Sequence, residues 1–551
     1  MRIIGVSGGF GHEASATLIV DGKIELIVEE ERLSRRKYAR EEAATRSVLA
    51  CLRRFDLAPR DLDALAISWD SSLDPSNDRM IAADRALAAA RGELGLDDTP
   101  AFVFDHHRCH AVTGQYMSGT AERCVVVVMD GRGEHASTTV YLAGGGEDED
   151  VVAASPLTAS LGTLFAAVTT YCGFGYGGQG KTMGLAAFGT PRHDFPELSP
   201  DGLGFRCALP APGDPTTGHR AVYRQWNDIC AEVFGPPRRP ALSLSDRLRP
   251  LRSGDFAPHH ADAAASVQAM VEARIETLVR RLASEYPGLP VVLAGGVALN
   301  CSANGRLRRV LPDVDLRYLP IPQDAGVSVG AAVLAARRLG EATRLPAGPY
   351  QGLGWSDAEL ADLLRRYGIG HHEPPDLAAE VADRLLAGEV IGWFQGRAEV
   401  GPRALGHRSI LASSLDAAVV DRLNLEIKQR EAWRPFGPSL LPDAMDKWFP
   451  VADAPFMIEA HEVRDAAALP AVVHVDGTSR PHCVDDRVCS PRYVAVLEAM
   501  RRRTGHGVVL NTSFNIDGEP IVYTPDDALR TYFSSTLDGL ALGPFLLHRS
   551  G

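Results

Sequence analysis

His106 and His110 stand four residues apart in Asp105-His-His-Arg-Cys-His110-Ala, and on a helix that spacing turns both imidazoles toward one point. It makes either half of a metal site or a pair of polar histidines on a helix face, and further ligands decide between the two. Asp130 ends the apolar run Cys124–Met129, and Asp324 in Pro322-Gln-Asp-Ala-Gly326 precedes a stretch of small residues. Each carboxylate therefore sits where a core element opens into a cleft. Two imidazoles and two carboxylates suit Fe(II), Mn(II) or Zn(II) better than Mg(II), which prefers oxygen alone. Ligand type does not separate those three metals.

Two glycine-rich stretches, Gly177-Gly178-Gln-Gly180-Lys181-Thr-Met-Gly184 and Leu293-Ala-Gly295-Gly296-Val-Ala-Leu-Asn300, read either as plain turns or as cradles for phosphate. Lys181 inside the first and a helix start behind the second favour a nucleotide. Cations crowd among glycine and proline in Gly396-Arg397-Ala-Glu399-Val-Gly401-Pro402-Arg403-Ala-Leu-Gly406-His407-Arg408 and again in Lys428-Gln-Arg430-Glu-Ala-Trp433-Arg434-Pro435-Phe436. Rigid turns bearing arginine are what a bidentate phosphate clamp requires. Asn511-Thr-Ser513-Phe-Asn515 follows the strand-like run 507–510 and offers hydroxyls and amides at a strand end, as an ordinary turn also does.

The elements that must hold these groups read as α/β. A strand at 2–6 leads to two apolar segments, 16–20 and 23–28, joined by the hairpin signal Asp21-Gly22. The same opening of strand, polar turn and strand returns at 124–129 and 137–142, before a turn at 144–146. Helical spacing over 262–286 precedes a strand at 290–293, and helices are expected after Asn300 and over 327–336. Pro and Gly accumulate at 346–354, after which a helix over 377–386 and a strand over 390–394 begin a new α/β pattern. The expected division is 1–349 and 350–551. The Pro- and Arg-rich stretch 194–258 reads as an insertion.

With 551 residues, 45% of them hydrophobic, the chain has enough apolar mass for two large cores. Lys and Arg total 57 against 70 Asp and Glu, a formal charge of -13, so no global basic field exists to hold a nucleic acid. Nine scattered cysteines without a CxxC pair point to a reduced, cytoplasmic chain. The start Met1-Arg2-Ile3-Ile4-Gly5 lacks the apolar stretch of a signal peptide, and no window approaches the ~20 apolar residues of a membrane span, so no membrane partner is expected.

Taken together these stretches resemble the carbamoyltransferase family that includes nodulation-factor and antibiotic O-carbamoyltransferases, and the resemblance covers nearly the whole chain. It is carried by Gly11-His12-Glu-Ala-Ser-Ala16, Glu29-Glu30-Glu31-Arg32 through Arg36-Lys37, the His106 to Ala111 motif and Met129-Asp130-Gly131. It continues through Gly180 to Gly189, Gln323-Asp324-Ala-Gly326, Gly401-Pro-Arg403-Ala-Leu-Gly406, Arg434-Pro-Phe436 and Asn511 to Asn515. The resemblance implies an actin-like ATPase (ASKHA, TsaD-like) domain over 1–349, and over 350–551 a linker with a YrdC-like α/β domain. It implies two half-reactions: ATP and carbamoyl phosphate yield carbamoyl adenylate and pyrophosphate, then the carbamoyl group passes to an acceptor hydroxyl and frees AMP. Both sites in the family look onto a shared enclosed space.

The resemblance also assigns residues. Arg403, Arg408, Lys428, Arg434 and Ser513 are expected to bind phosphate and adenylate, with Mg(II) accompanying ATP. His106, His110, Asp130 and Asp324 are expected to hold a metal, Fe(II) or another divalent transition ion. His12 is the candidate general base, and Lys37, Lys181, Gly295, Gly296 and Asn300 are expected neighbours of the carbamoyl adenylate. One departure is Arg132, which puts a cation close to the expected metal, where the family more often has a small or neutral residue. Expected partners are ATP, carbamoyl phosphate and a small hydroxyl-bearing secondary metabolite, with the chain a monomer or a homodimer. A tRNA-modifying enzyme would need an exposed basic track, which the charge opposes. Hydrogenase-maturation relatives carry zinc-finger cysteines that this chain lacks, and an actin-like switch protein leaves the Arg-rich second domain without a purpose.

Overall fold

The N-terminal meander consists of β1 (Arg2–Gly9), β2 (His12–Val20) and β3 (Lys23–Glu29). Asp21 and Gly22 join the last two with φ of 48° and 71°, the left-handed pair that a two-residue hairpin turn demands. This computed structural model describes residues 1–9, 12–73, 87–144, 147–175, 177–210, 218–238 and 255–549. The expectations for Gly11, for Gly145-Gly146 and for much of 239–258 fall outside the described residues.

β1 to β3 form an antiparallel sheet that β4 (Ala64–Ile67) and β5 (Ala101–Val103) extend in parallel, in the order β3-β2-β1-β4-β5. A second sheet repeats the plan. Its β6 (Cys124–Met129), β7 (Ala136–Gly144) and β8 (Glu147–Pro156) are antiparallel. After a small hairpin, β9 (Leu198–Asp201) with β10 (Gly204–Cys207), come β11 (Val291–Ala294) and β12 (Leu316–Arg317), and the order is β12-β11-β6-β7-β8. Here too the late strands run parallel to the first one. Two sheets with the same order and directions make a duplicated α/β architecture. The β6 side chains are all fully buried, as an uninterrupted valine run in a sheet covered on both faces should be.

Chain packing separates one unit, Met1–Ala241 with Phe256–Pro349, from a second that consists chiefly of Tyr350–Gly551. The second unit is built on a mixed seven-stranded sheet. Its strands are β13 (Ile391–Phe394), β14 (Arg408–Ser413), β15 (Gly437–Leu440), β18 (His482–Cys483), β19 (Val508–Ser513), β20 (Gly539–Leu542) and β21 (Phe545–His548). Their order is β18-β15-β19-β14-β13-β20-β21, and a short hairpin of β16 (His461–Glu462) and β17 (Thr478–Ser479) stands apart. Along β13, Trp393 enters a core with Val381, Leu385 and Leu497, while Phe394 enters another with Leu423, Met445 and Phe514. Period-two alternation thus buries both faces of the sheet. β19 runs on through Ser513, so Asn511 and Ser513 are strand residues and not the turn after one.

Helices Pro258–Glu285, Cys301–Val310, Val327–Arg338 and Leu377–Leu386 fall where the spacing predicts them. The helix His106–Met117 crosses Val327–Arg338 at very close range. A Cβ on Gly330 would lie 2.0 Å from the carbonyl oxygen of Cys109. Thr113 clasps the crossing, its Oγ1 accepting from Gly330 N–H at 3.0 Å and donating to the Gly326 carbonyl at 2.9 Å. Gly330→Ala should therefore push these helices apart and lower the thermal midpoint, by about 1–3 kcal/mol of stability. An unchanged melting curve would show that the crossing is not under that constraint.

Candidate active site

Helix His106–Met117 begins at Asp105, whose carboxylate caps it by accepting from Arg108 N–H at 2.7 Å. Both candidate imidazoles lie one turn apart on its buried side, each 1% exposed. Asp130 follows the last residue of β6, and Asp324 opens the short turn before helix Val327–Arg338. The turn is pinned to β2: Ser15 Oγ donates to the Ala325 carbonyl at 2.6 Å and lies 2.7 Å from Ser328 Oγ.

These four side chains converge. One ligand atom from each lies within 4.8 Å of every other. His106 Nε2 is 3.5 Å from both Asp130 and Asp324, and His110 Nε2 is 3.4 Å from Asp324 and 3.8 Å from Asp130. Ligand bonds of ~2.0–2.2 Å around one ion set neighbouring ligand atoms roughly 3–3.6 Å apart, so the spacing fits a metal. Both ring nitrogens of His110 are buried without a hydrogen-bond partner among the described residues, and a buried imidazole in that state needs an ion or a proton. His106 Nδ1 faces the Ser68 carbonyl at 3.3 Å, the outer contact a metal-bound imidazole ordinarily makes.

Charge in the cluster is strongly coupled. Burial works against a charged His106, yet Asp130 and Asp324 outweigh it and hold its pKa well above the usual imidazole value. Burial and the Asp324 charge oppose ionisation of Asp130, and the two histidines overcome both to hold its pKa below the ordinary value. Burial and then the Asp324 carboxylate push Glu13 well up. Glu13 shares the β2 face of Ser15 and Thr17, which is the face toward the Asp324 turn. Sequence reasoning passed over it in favour of His12, the start of β2, whose side chain lies outside the described residues.

The glycine pair has a geometric reason. Gly295 has φ of 84° and approaches β6 so closely that a Cβ would stand 2.3 Å from the Met129 carbonyl, while Gly296 N–H reaches Asp130 Oδ1 at 3.3 Å. Both serve to hold Asp130. Asn300, expected beside the adenylate, is instead a helix cap: its Oδ1 accepts from Ala303 N–H and from Gln268, and its Nδ2 donates back to Gln268. That carbonyl oxygen is committed to the scaffold. Lys37 is exposed and Lys181 half-buried, and Tyr38 brings their segments together by donating to the Gly177 carbonyl at 3.1 Å. Arg132 Nε folds back onto the Gly133 carbonyl at 3.5 Å. A cavity of about 350 Å³ is lined by Asp105, His107, Arg108, Glu134, Tyr141 and Glu149 but by neither His106 nor His110.

In the second unit, Lys428 is buried with its ammonium caged by the Ser513 carbonyl, Ser513 Oγ at 3.1 Å, the Asn515 carbonyl at 3.2 Å and Asn515 Oδ1 at 2.9 Å. Asp517 N–H donates to the Lys428 carbonyl at 2.8 Å, and Arg434 contacts Asp517 at 3.5 Å and Glu431 at 3.4 Å. Lys428, Ser513 and Arg434 thus come together, with Asn515 from the same strand-end motif and with Asp517, which the sequence reading did not single out. Arg430 lies over the Phe436 ring at 4.6 Å, and burial, then repulsion from Arg434, depress its pKa well below the guanidinium norm. The turn bearing Arg403 is shaped by Glu399, whose Oε1 accepts from the N–H groups of Leu405, His407 and Arg408. Asn511 Nδ2 holds that turn against β19 through the Ala404 carbonyl at 3.0 Å.

Arg408 corrects the expectation made for it. It is 1% exposed, and its guanidinium donates to the carbonyls of Gln395, His407, Leu353, Gly396 and Tyr523. All five N–H groups are used, and the charge stacks 3.6 Å from the centre of the Phe394 ring. No donor is left for a phosphate.

The fold and these two clusters define a two-unit α/β protein with a buried group of two imidazoles and two carboxylates. Residues 81–333 match the family model of the carbamoyltransferase N-terminus and residues 382–549 that of the carbamoyltransferase C-terminus. Nodulation protein NolNO of Sinorhizobium fredii (strain NBRC 101917 / NGR234) is 34% identical, with 100% of this chain and 83% of that protein covered. Nodulation protein NolO of Bradyrhizobium diazoefficiens is 35% identical over 81% of this chain and 79% of that one. The 3'-hydroxymethylcephem-O-carbamoyltransferase of Amycolatopsis lactamdurans is 32% identical over 50% of this chain and 52% of that one. The chain belongs to the carbamoyltransferase family. Among the described residues no helix is long and apolar enough to cross a membrane.

Arg408→Met should act on the fold before it acts on chemistry, because five buried carbonyls lose their donor. The expected loss is roughly 2–5 kcal/mol, read as a lowered thermal midpoint. A variant that melts like the wild type yet fails to bind ATP would restore Arg408 to the nucleotide site.

Proposed function

We propose that this carbamoyltransferase is an ATP-dependent O-carbamoyltransferase acting on a small hydroxyl-bearing secondary metabolite, a sugar or polyketide product. The observation that carries the reading is the convergence of His106, His110, Asp130 and Asp324 in one unit of a chain whose other unit gathers Lys428, Ser513 and Arg434.

The second unit, read as YrdC-like, forms the activated carbamoyl group. Water releases phosphate from carbamoyl phosphate, the carbamate oxygen attacks the α-phosphorus of ATP, and pyrophosphate leaves. Arg403 and Arg434 offset the negative charge that accumulates on the phosphates, and Lys428 with Ser513 fixes the β19 end against which they lie. Mg(II) enters with ATP.

In the first unit the acceptor oxygen attacks the carbamoyl carbon of the adenylate, and AMP departs with the bond to its phosphate oxygen broken at carbon. His12 takes the hydroxyl proton. Lys37, Lys181 and the backbone at Gly295 and Gly296 stand as neighbours of the adenylate. His106, His110, Asp130 and Asp324 hold a divalent transition metal, Fe(II) on the family likeness, which supplies Lewis acidity toward a carbonyl or phosphate oxygen.

Full-length protein incubated with ATP, Mg(II) and carbamoyl phosphate should release pyrophosphate and give a carbamoyl-AMP mass. Arg403→Ala should lower pyrophosphate release by about a hundredfold or more. His12→Ala should leave it intact while slowing transfer to an accepted hydroxyl compound by ~10²–10⁴, and normal transfer in that variant would remove His12 as the base. Protein purified anaerobically should carry about one transition ion per chain, lost in His110→Ala. Equal metal in the variant would end the four-ligand reading.

A further inference from the structure

The four ligands of the metal cluster come from three segments, and a single carboxylate outside the cluster ties all but the Asp324 turn together. Glu134 is 2% exposed. Its Oε1 accepts from the N–H of His106 at 3.0 Å and from the N–H of Asp70 at 3.0 Å, and its Oε2 lies 3.2 Å from the same His106 N–H. His106 opens the helix that carries both imidazoles. Asp70 closes the stretch in which the Ser68 carbonyl meets His106 Nδ1 and the Trp69 ring lies 4.7 Å from the His106 ring. Glu134 itself ends the turn that begins at Asp130.

That turn is rigid. Asp130 N–H bonds to the Ser137 carbonyl at 2.9 Å and Gly133 N–H to the Ala136 carbonyl at 2.7 Å. A Cβ on Gly133 would stand 2.7 Å from the His107 ring, and one on Gly162 would stand 2.9 Å from Gly131 N. A carboxylate delivered from such a turn has little freedom, so the N–H groups it binds are placed relative to Asp130. Oriented imidazoles and carboxylates determine how well an ion is held, and contacts one step removed from the ion do the orienting.

We propose that Glu134 is the positioning residue of this cluster. It sets the distance and angle between Asp130 and the His106 imidazole, and with them the affinity and coordination geometry for a divalent ion that it does not touch. The inference rests on the metal reading given above.

The test uses metal-stripped full-length protein titrated with Co(II), with the visible d–d absorption followed alongside bound cobalt. Wild type should bind about one Co(II) per chain and His110→Ala should not. If wild type binds none, or His110→Ala binds like wild type, the metal reading fails and the inference with it. Given that binding, Glu134→Gln should keep its near-ultraviolet circular dichroism in the metal-free state, weaken Co(II) affinity about 10- to 100-fold and shift the d–d bands. Glu134→Asp, which keeps the carboxyl group but shortens the reach, should fall between. The wild-type affinity and spectrum in a folded Glu134→Gln would overturn the proposal and leave the metal reading standing. Should Glu134→Gln lose its native dichroism, Glu134→Asp decides by the same two readouts, an unchanged affinity and spectrum again overturning the proposal.

Discussion

The first unit depends on how closely two helices can approach. Helix His106–Met117 and helix Val327–Arg338 meet where Gly330 lies against the Cys109 backbone, and Thr113 satisfies a donor and an acceptor across the contact. At any wider spacing His106 and His110 would not reach Asp324, which sits one turn before the second helix. The convergence of these side chains is therefore a consequence of backbone packing, with the glycine marking the place where a side chain has to be absent. Ser15, Thr17 and Ser328 complete the arrangement by fastening the Asp324 turn to the first sheet through a chain of buried hydroxyls.

Buried carboxylates organise both units in the same way. Glu134 gathers the N–H groups of two separate segments, and Glu399 gathers three from one turn. A carboxyl group taken out of water is tolerated only when donors surround it, and backbone donors in turn become fixed by the oxygens they serve. Both residues stand a few positions from a group assigned to chemistry: Asp130 precedes Glu134 by four residues, and Arg403 follows Glu399 by four. In each turn the acid, four residues from the side chain to which the proposed function gives a role, binds backbone N–H groups.

The arginines divide by depth of burial. Arg408 and Arg430 lie buried over aromatic rings, and Arg408 spends every N–H on a carbonyl of its own unit. Arg403 and Arg434 are half-buried, and the proposed function gives them the phosphates. Dense positive charge in the sequence therefore has two physical uses, and one of them is to staple loops to the sheet.

The paired openings of strand, turn and strand, the break near residue 350, and the helices at 377–386 and 327–338 were legible in the sequence because each follows from local rules: period two, period 3.6, and the left-handed demand of Asp21-Gly22. The His106 and His110 pair was legible for the same reason, since one helix sets their spacing. Asp130 and Asp324 were legible from their places at the end of an apolar run and before a stretch of small residues, and the family resemblance assigned the four to a metal. Long-range contacts decided the rest. Whether Asn300 faces a ligand or caps a helix, whether Arg408 meets phosphate or carbonyls, and which acid aligns the ligand turn all depend on partners scores of residues away, such as Gln268 for Asn300 and Tyr523 for Arg408. A side chain's type states which hydrogen bonds it can make, and only the packed chain determines which of them are already taken.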